Sequence, residues 1–220
     1  MAAADLARRA TAEALGTGFL VATVIGSGIM AERLSGGNVA LALLANTIAT
    51  GAGLIALILA LGPISGAHMN PAVSMASAID GALEWRALPA YVAAQVGGGV
   101  AGAVLANVMF REPIISLSRH ARTGGDQWLS EVVATFGLLM VIRGTKPAAA
   151  PFAVGAYISA AYWFTASTSF ANPAVTIARA LSDTFAGIRP VDAPAFIAAQ
   201  IVGAVLATMT FRWLSPRSAP

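Results

Sequence analysis

The stretch ANPAVTIARA, residues 171–180, lies in one of the most hydrophobic parts of the chain, and a near-copy, MNPAVSMASA, occupies residues 69–78. Asn-Pro interrupts a helix, because proline lacks the N–H that the ladder needs and clashes with the preceding turn. The same pair starts a helix well: asparagine is a favoured N-cap, and proline is favoured at the first helical position. Asn70-Pro71 and Asn172-Pro173 therefore predict two helix starts, each followed by a short apolar segment, 71–80 and 173–182. Ten residues of helix reach ~15 Å, about half of a ~30 Å hydrocarbon core. Neither segment crosses a membrane alone.

The surroundings make the membrane reading necessary. Of the 220 residues, 57% are hydrophobic and only 10% are charged, and mean hydropathy is +0.75. A soluble domain carries roughly a quarter of its residues charged, so composition excludes that class. Apolar runs long enough for a bilayer predict six spans, at about 13–31, 39–61, 87–109, 127–144, 152–169 and 191–213. The 22 glycines suit membrane helices that pack closely through small residues. Arg8 and Arg9 precede the first apolar run as in a signal peptide, but that run is long and opens with Glu13, so it reads as a retained span. The net charge of +3 is scattered over short loops, which argues against nucleic-acid binding. Cysteine is absent, and the two histidines, His68 and His120, have no metal-site spacing. No nucleophile–base pair is spelled out, so neither an enzyme, nor a metal site, nor a cofactor is expected.

The chain repeats itself. AEALGTGFLVATV (12–24) resembles SEVVATFGLLMVI (130–142), each with glutamate at its second place, Glu13 and Glu131. The Asn-Pro-Ala-Val segments follow at 70–73 and 172–175, and AAQVGGGVAGAVLA (93–106) answers AAQIVGAVLATMT (198–210), aligning Gln95 with Gln200. A single domain over 1–220 is thus expected to hold a first repeat, 12–110, with half-helix 71–80, and a second, 127–213, with half-helix 173–182. Each repeat has three spans, an odd number, so the second enters the membrane upside down. Inverted repeats with discontinuous helices place a site near the bilayer midplane. There the two half-helix N-termini meet, each with roughly half a positive charge.

Six spans, an inverted repeat, SGAHMNPAV (65–73) and ANPAV (171–175) resemble the aquaporin, or major intrinsic protein, family. The resemblance implies an all-α membrane protein with six transmembrane helices plus two half-helices, usually a homotetramer with a pore in each subunit. It implies passive flow of water or small neutral solutes across a lipid bilayer, here a bacterial inner membrane with cytoplasmic termini. Positive charge does not decide orientation by itself, with seven basic residues inside and six outside. In this family Asn70, Pro71, Ala72 and Asn172, Pro173, Ala174 form the central filter. Pores of this type select by diameter, hydrogen bonding and half-helix dipoles.

The chain departs from the family at the outer filter. Most members carry arginine directly after the second Asn-Pro-Ala, where this chain has Val175. Spacing from the asparagines places the other filter positions at Thr50, Ala160 and Ser169. Four small, uncharged residues predict a wide filter that passes larger neutral solutes. The Asn-Pro-Ala-Val motif also resembles a bacterial subgroup, glycerol-channel-like, associated with arsenic resistance, which implies passage of arsenicals and their methylated forms.

The remaining polar residues have two readings each. Arg179 shares a helix face with Asn172 and Val175. It is either a filter cation displaced toward the outer mouth or the i+4 partner of Asp183, and the ion pair, with loop carbonyls as further acceptors, is the expectation. Glu13, Glu131, Gln95 and Gln200 are expected to fix the loops before the half-helices; as proton carriers, the two glutamates would instead make an ion-coupled transporter. His68 is expected at the inner vestibule, hydrogen-bonded to its loop.

Overall fold

The computed structural model describes residues 3–214, and every regular element among them is α-helical. The long helices are α1 (Ala3–Leu34), α2 (Val39–Ser65), α4 (Leu88–Met109), α5 (Gly125–Gly144), α6 (Ala150–Phe164) and α8 (Ala193–Leu214). Between them lie two short ones, α3 (Pro71–Ile79) and α7 (Pro173–Arg179). Helices α1, α2, α4 and α8 are each long and apolar enough to cross a membrane. Helix α5 carries Asp126, Glu131 and Arg143, and α6 has only 15 residues.

Three elements differ from expectation, for local reasons. The segment expected helical over 152–169 ends as helix at Phe164, and Thr168, Ser169 and Ala171 then take positive φ. The half-helix expected over 173–182 stops at Arg179, with Ala180 as its cap. Helix α1, by contrast, begins well before residue 13, through a lead-in containing Asp5, Arg8 and Arg9.

The long helices form two similar groups. Helix α1 packs on α4 and α2, α5 packs on α8 and α6, and α2 against α6 joins the groups. The two closest crossings occupy matching places. A Cβ on Gly98 would fall on the carbonyl oxygen of Ala14, and one on Gly203 would fall on that of Val132. Ala14 and Val132 directly follow the two glutamates, and each glycine stands three residues after its glutamine. Outward faces are apolar, as lipid requires: Ile48, Leu59 and Met209 are all half or more exposed. Leu6 packs against the cluster that holds Ala78, and Arg212 bonds to Ile79 O, so the start of α1 and the end of α8 meet at the far end of α3, on one face of the bundle, here the termini face. Trp85 and Trp213, exposed near helix ends there, suit a membrane–water interface.

Candidate functional site

Each half-helix is preceded by a strained loop with the same backbone. Ala67 and Met69 have φ of 46° and 48°, and Ser169 and Ala171 have 51° and 47°. Such left-handed residues cost of order 1 kcal/mol or more each, so something must hold them. The buried glutamates do. Glu13 accepts from Ser65 Oγ (2.6 Å), His68 N (2.9 Å), Met69 N (2.6 Å) and Gln95 Nε2 (2.7 Å). Glu131 accepts from Phe170 N (2.9 Å), Ala171 N (2.8 Å) and Gln200 Nε2 (2.7 Å). Gln95 also reaches Ser74 Oγ and Gln200 reaches Thr176 Oγ1, tying each loop to its own half-helix.

The half-helices meet N-terminus to N-terminus. Asn70 caps α3 by accepting from Ala72 N, and Asn172 caps α7 by accepting from Ala174 N and Val175 N. Their amide groups cross over: Asn70 Nδ2 donates to Ala171 O and Asn172 Nδ2 to Met69 O, both at 2.7 Å. Each NH2 carries two hydrogens, so one on each asparagine remains for a ligand. Both side chains line a cavity of about 340 Å³. Pro71, Ala72, Pro173 and Ala174 are buried behind them and do not line it.

Apolar stripes make most of the remaining wall, among them Leu54 and Ile58 of α2 and Val154 and Ile158 of α6. A polar residue reaches in at intervals: His68 and Ser77 on one side of the asparagines, Thr50, Tyr162, Ser169 and Arg179 on the other. The result is a mostly apolar lane with hydrogen-bonding stations, the two asparagines among them.

Comparison with known proteins places this geometry. The sequence profile of the Major intrinsic protein family matches residues 1–151. The chain is 56% identical over 219 residues to the aquaglyceroporin AqpS of Rhizobium meliloti, covering 98% of this chain and 94% of that one. This chain belongs to the major intrinsic protein family. It is also 34% identical over 191 residues to aquaporin NIP1-3 of Oryza sativa, covering 82% of this chain and 66% of that protein. The X-ray structure of the aquaglyceroporin from Plasmodium falciparum superposes with a TM-score of 0.76 at 20% identity, covering 96% of this chain and 98% of that one. That likeness supports the major intrinsic protein fold: an integral membrane bundle of six long helices and two half-helices.

Within the major intrinsic protein fold the filter positions carried over by spacing divide. Thr50, Ser169 and Val175 line the cavity. Ala160 does not: it is exposed on the far side of α6, whose cavity face is Val154, Ile158 and Tyr162. Tyr162 is the aromatic residue that spacing missed, and its hydroxyl lies 3.2 Å from Thr50 Oγ1 across the α2–α6 boundary. Ser169 Oγ is buried without a hydrogen-bond partner among the described residues.

Arg179 also departs from expectation. Asp183 is taken by Arg119, through its backbone N–H at 2.8 Å and Nε at 2.7 Å. These bonds hold the Asp183 carboxyl below its ordinary pKa. Arg179 instead points inward, 2% exposed, and lines the cavity. Its Nε donates to a loop carbonyl, Ala186 O, and its guanidinium sits 3.3 Å from the Phe170 ring centroid. Arg122, from the α4–α5 connector, lies over the same ring at 5.0 Å and bonds to Gly187 O and Ser167 O. Burial lowers the Arg122 pKa to about 10, so it is still a cation at neutral pH. His68 lines the opposite end, with Nδ1 3.0 Å from Ser74 Oγ.

Proposed function

We propose that this protein is a passive channel for small uncharged solutes, water and glycerol-like polyols, through one lane per subunit. One observation carries the reading: two capping asparagines meet in the middle of a mostly apolar cavity, each keeping one N–H for a passing oxygen. A solute hydroxyl exchanges water for those donors, and the facing helix N-termini disfavour a cation there.

Selectivity beyond the asparagines is set by Thr50, Tyr162, Ser169 and Val175, with Arg179 as the filter cation one helical turn farther out than the usual position. Displacing the charge leaves the Val175 level neutral and wide. The Asn-Pro-Ala-Val motif, through its resemblance to the arsenic-resistance subgroup, extends the solute class toward uncharged arsenicals, including methylated forms. The Rhizobium relative favours a bacterial plasma membrane, the family resemblance favours cytoplasmic termini and a homotetramer, and the matched loops and crossings favour the division into repeats 12–110 and 127–213.

An ion-coupled transporter would need Glu13 or Glu131 to exchange protons with the lane. Both are fully buried, engaged as acceptors and outside the cavity lining. Glycerol uptake into proteoliposomes decides between the two. A channel equilibrates glycerol faster than empty vesicles and stops at the outside concentration, with or without an imposed proton gradient. Accumulation above that level would overturn the reading.

A further inference from the structure

The far ends of the two half-helices are tethered at matching places with different chemistry. Behind α7, Asn107 Nδ2 donates to Leu181 O at 3.3 Å, and its Oδ1 accepts from Ser182 Oγ at 2.7 Å. Behind α3, Arg212 Nη2 donates to Ile79 O at 2.5 Å, and its Nε lies 3.4 Å from Asp80 Oδ1. The register is the same: Asn107 and Arg212 each stand twelve residues after their glutamine, and Ser182 and Asp80 each ten after their asparagine. One tether is neutral; the other is an ion pair.

The ionic tether has an addition. Arg143, in the last turn of α5, places Nη2 2.5 Å from Asp80 Oδ2 and 2.9 Å from Thr208 Oγ1. Its place in the first repeat is taken by Ile25, wholly buried. Asp80 and Arg143 both line the cavity, at its mouth on the termini face. A long cationic side chain is thus held along the wall of the lane by a carboxylate and a hydroxyl. Arg212 is mostly exposed and keeps a carbonyl at the helix end, a favourable place for a cation. Without the carboxylate, Arg143 keeps Thr208, and a largely buried guanidinium gains hydration by turning into the lane.

We propose that Asp80 is a positioning residue at the termini-face mouth: it holds the Arg143 side chain clear of the lane, and only a released Arg143 obstructs solute. The inference rests on the channel reading above. Released, Arg143 narrows the mouth, and solutes larger than water are obstructed first. A merely structural Asp80 would act through the end of α3 and Arg212, and the presence of Arg143 would make no difference.

The test is water and glycerol permeability in proteoliposomes, by stopped-flow light scattering, for the whole chain and its variants. Asp80→Asn is expected to lower glycerol permeability roughly fivefold, the shift that loss of a largely buried ion pair allows, with water much less affected. Arg143→Met is expected to resemble the parent, and Asp80→Asn combined with Arg143→Met to recover its flux. Should Asp80→Asn not fold, Thr208→Val removes the other hold on Arg143. It is expected to give a smaller glycerol loss that Arg143→Met again abolishes. A parent-like Asp80→Asn, equal loss of water and glycerol, or a double variant as slow as Asp80→Asn would overturn the inference. A parent that passes no glycerol would instead sink the channel reading.

Discussion

The two half-helices share one scaffold and differ in what they present to the lane. Behind each, a buried glutamate holds a loop with three residues of positive φ, a glutamine ties that loop to the half-helix, and an asparagine caps it. Along the lane the match ends. Ser77 stands where Arg179 stands, and His68, tilted against Tyr91 at 5.5 Å, stands where Phe170 meets Phe196 edge-on at 5.2 Å. The buried frame tolerates little variation, because a left-handed loop in a membrane needs every N–H satisfied. The lining faces solute and is free to differ. Symmetry therefore marks what holds the fold, and asymmetry marks what selects.

That division can be broken first at its frame. Glu131→Gln and Glu13→Gln each exchange a charged acceptor for an amide beneath a strained loop. Both are expected to destabilise the protein by roughly 2–4 kcal/mol, by similar amounts, in thermal unfolding followed in detergent. A large loss for one and none for the other would mean that the two frames are not equivalent.

The lining should behave in the opposite way. Arg179→Met is expected to raise monovalent-cation leak by roughly tenfold, since a buried charge beside the lane opposes cations by a few kcal/mol at most. Ser77→Met, at the matching place, should leave that leak unchanged in the same vesicle assay. Equal effects would show that Arg179 is no more than a packed side chain on Phe170.

The frame was legible in the sequence because it is written twice. The repeated Asn-Pro-Ala-Val, the paired glutamates and the paired glutamines gave the half-helices and their supports. The lining was legible only in part, because spacing from the asparagines runs through irregular loops. Thr50, Ser169 and Val175 line the cavity. Ala160 does not: α6 stops at Phe164, and the irregular segment to Asn172 shifts the register of its faces. An offset of two residues, the difference between Ala160 and Tyr162, turns a helical side chain by about 200°. The pairing of Arg179 with Asp183 failed for a related reason: α7 ends at Arg179, so no fourth residue follows on the helix. The Asp80, Arg143 and Arg212 cluster was out of reach, since its members come from three helix ends far apart in the chain.

The central claim is that the lane is uncharged and wide at Val175, its cation having moved out to Arg179. The most direct measurement compares glycerol and water permeability of the parent and Val175→Arg in proteoliposomes. The substitution is expected to lower glycerol permeability several-fold more than water, because a long side chain then occupies the level at which the larger solute must pass. Equal loss for both solutes, or no loss, would contradict the placement of Val175 at the constriction.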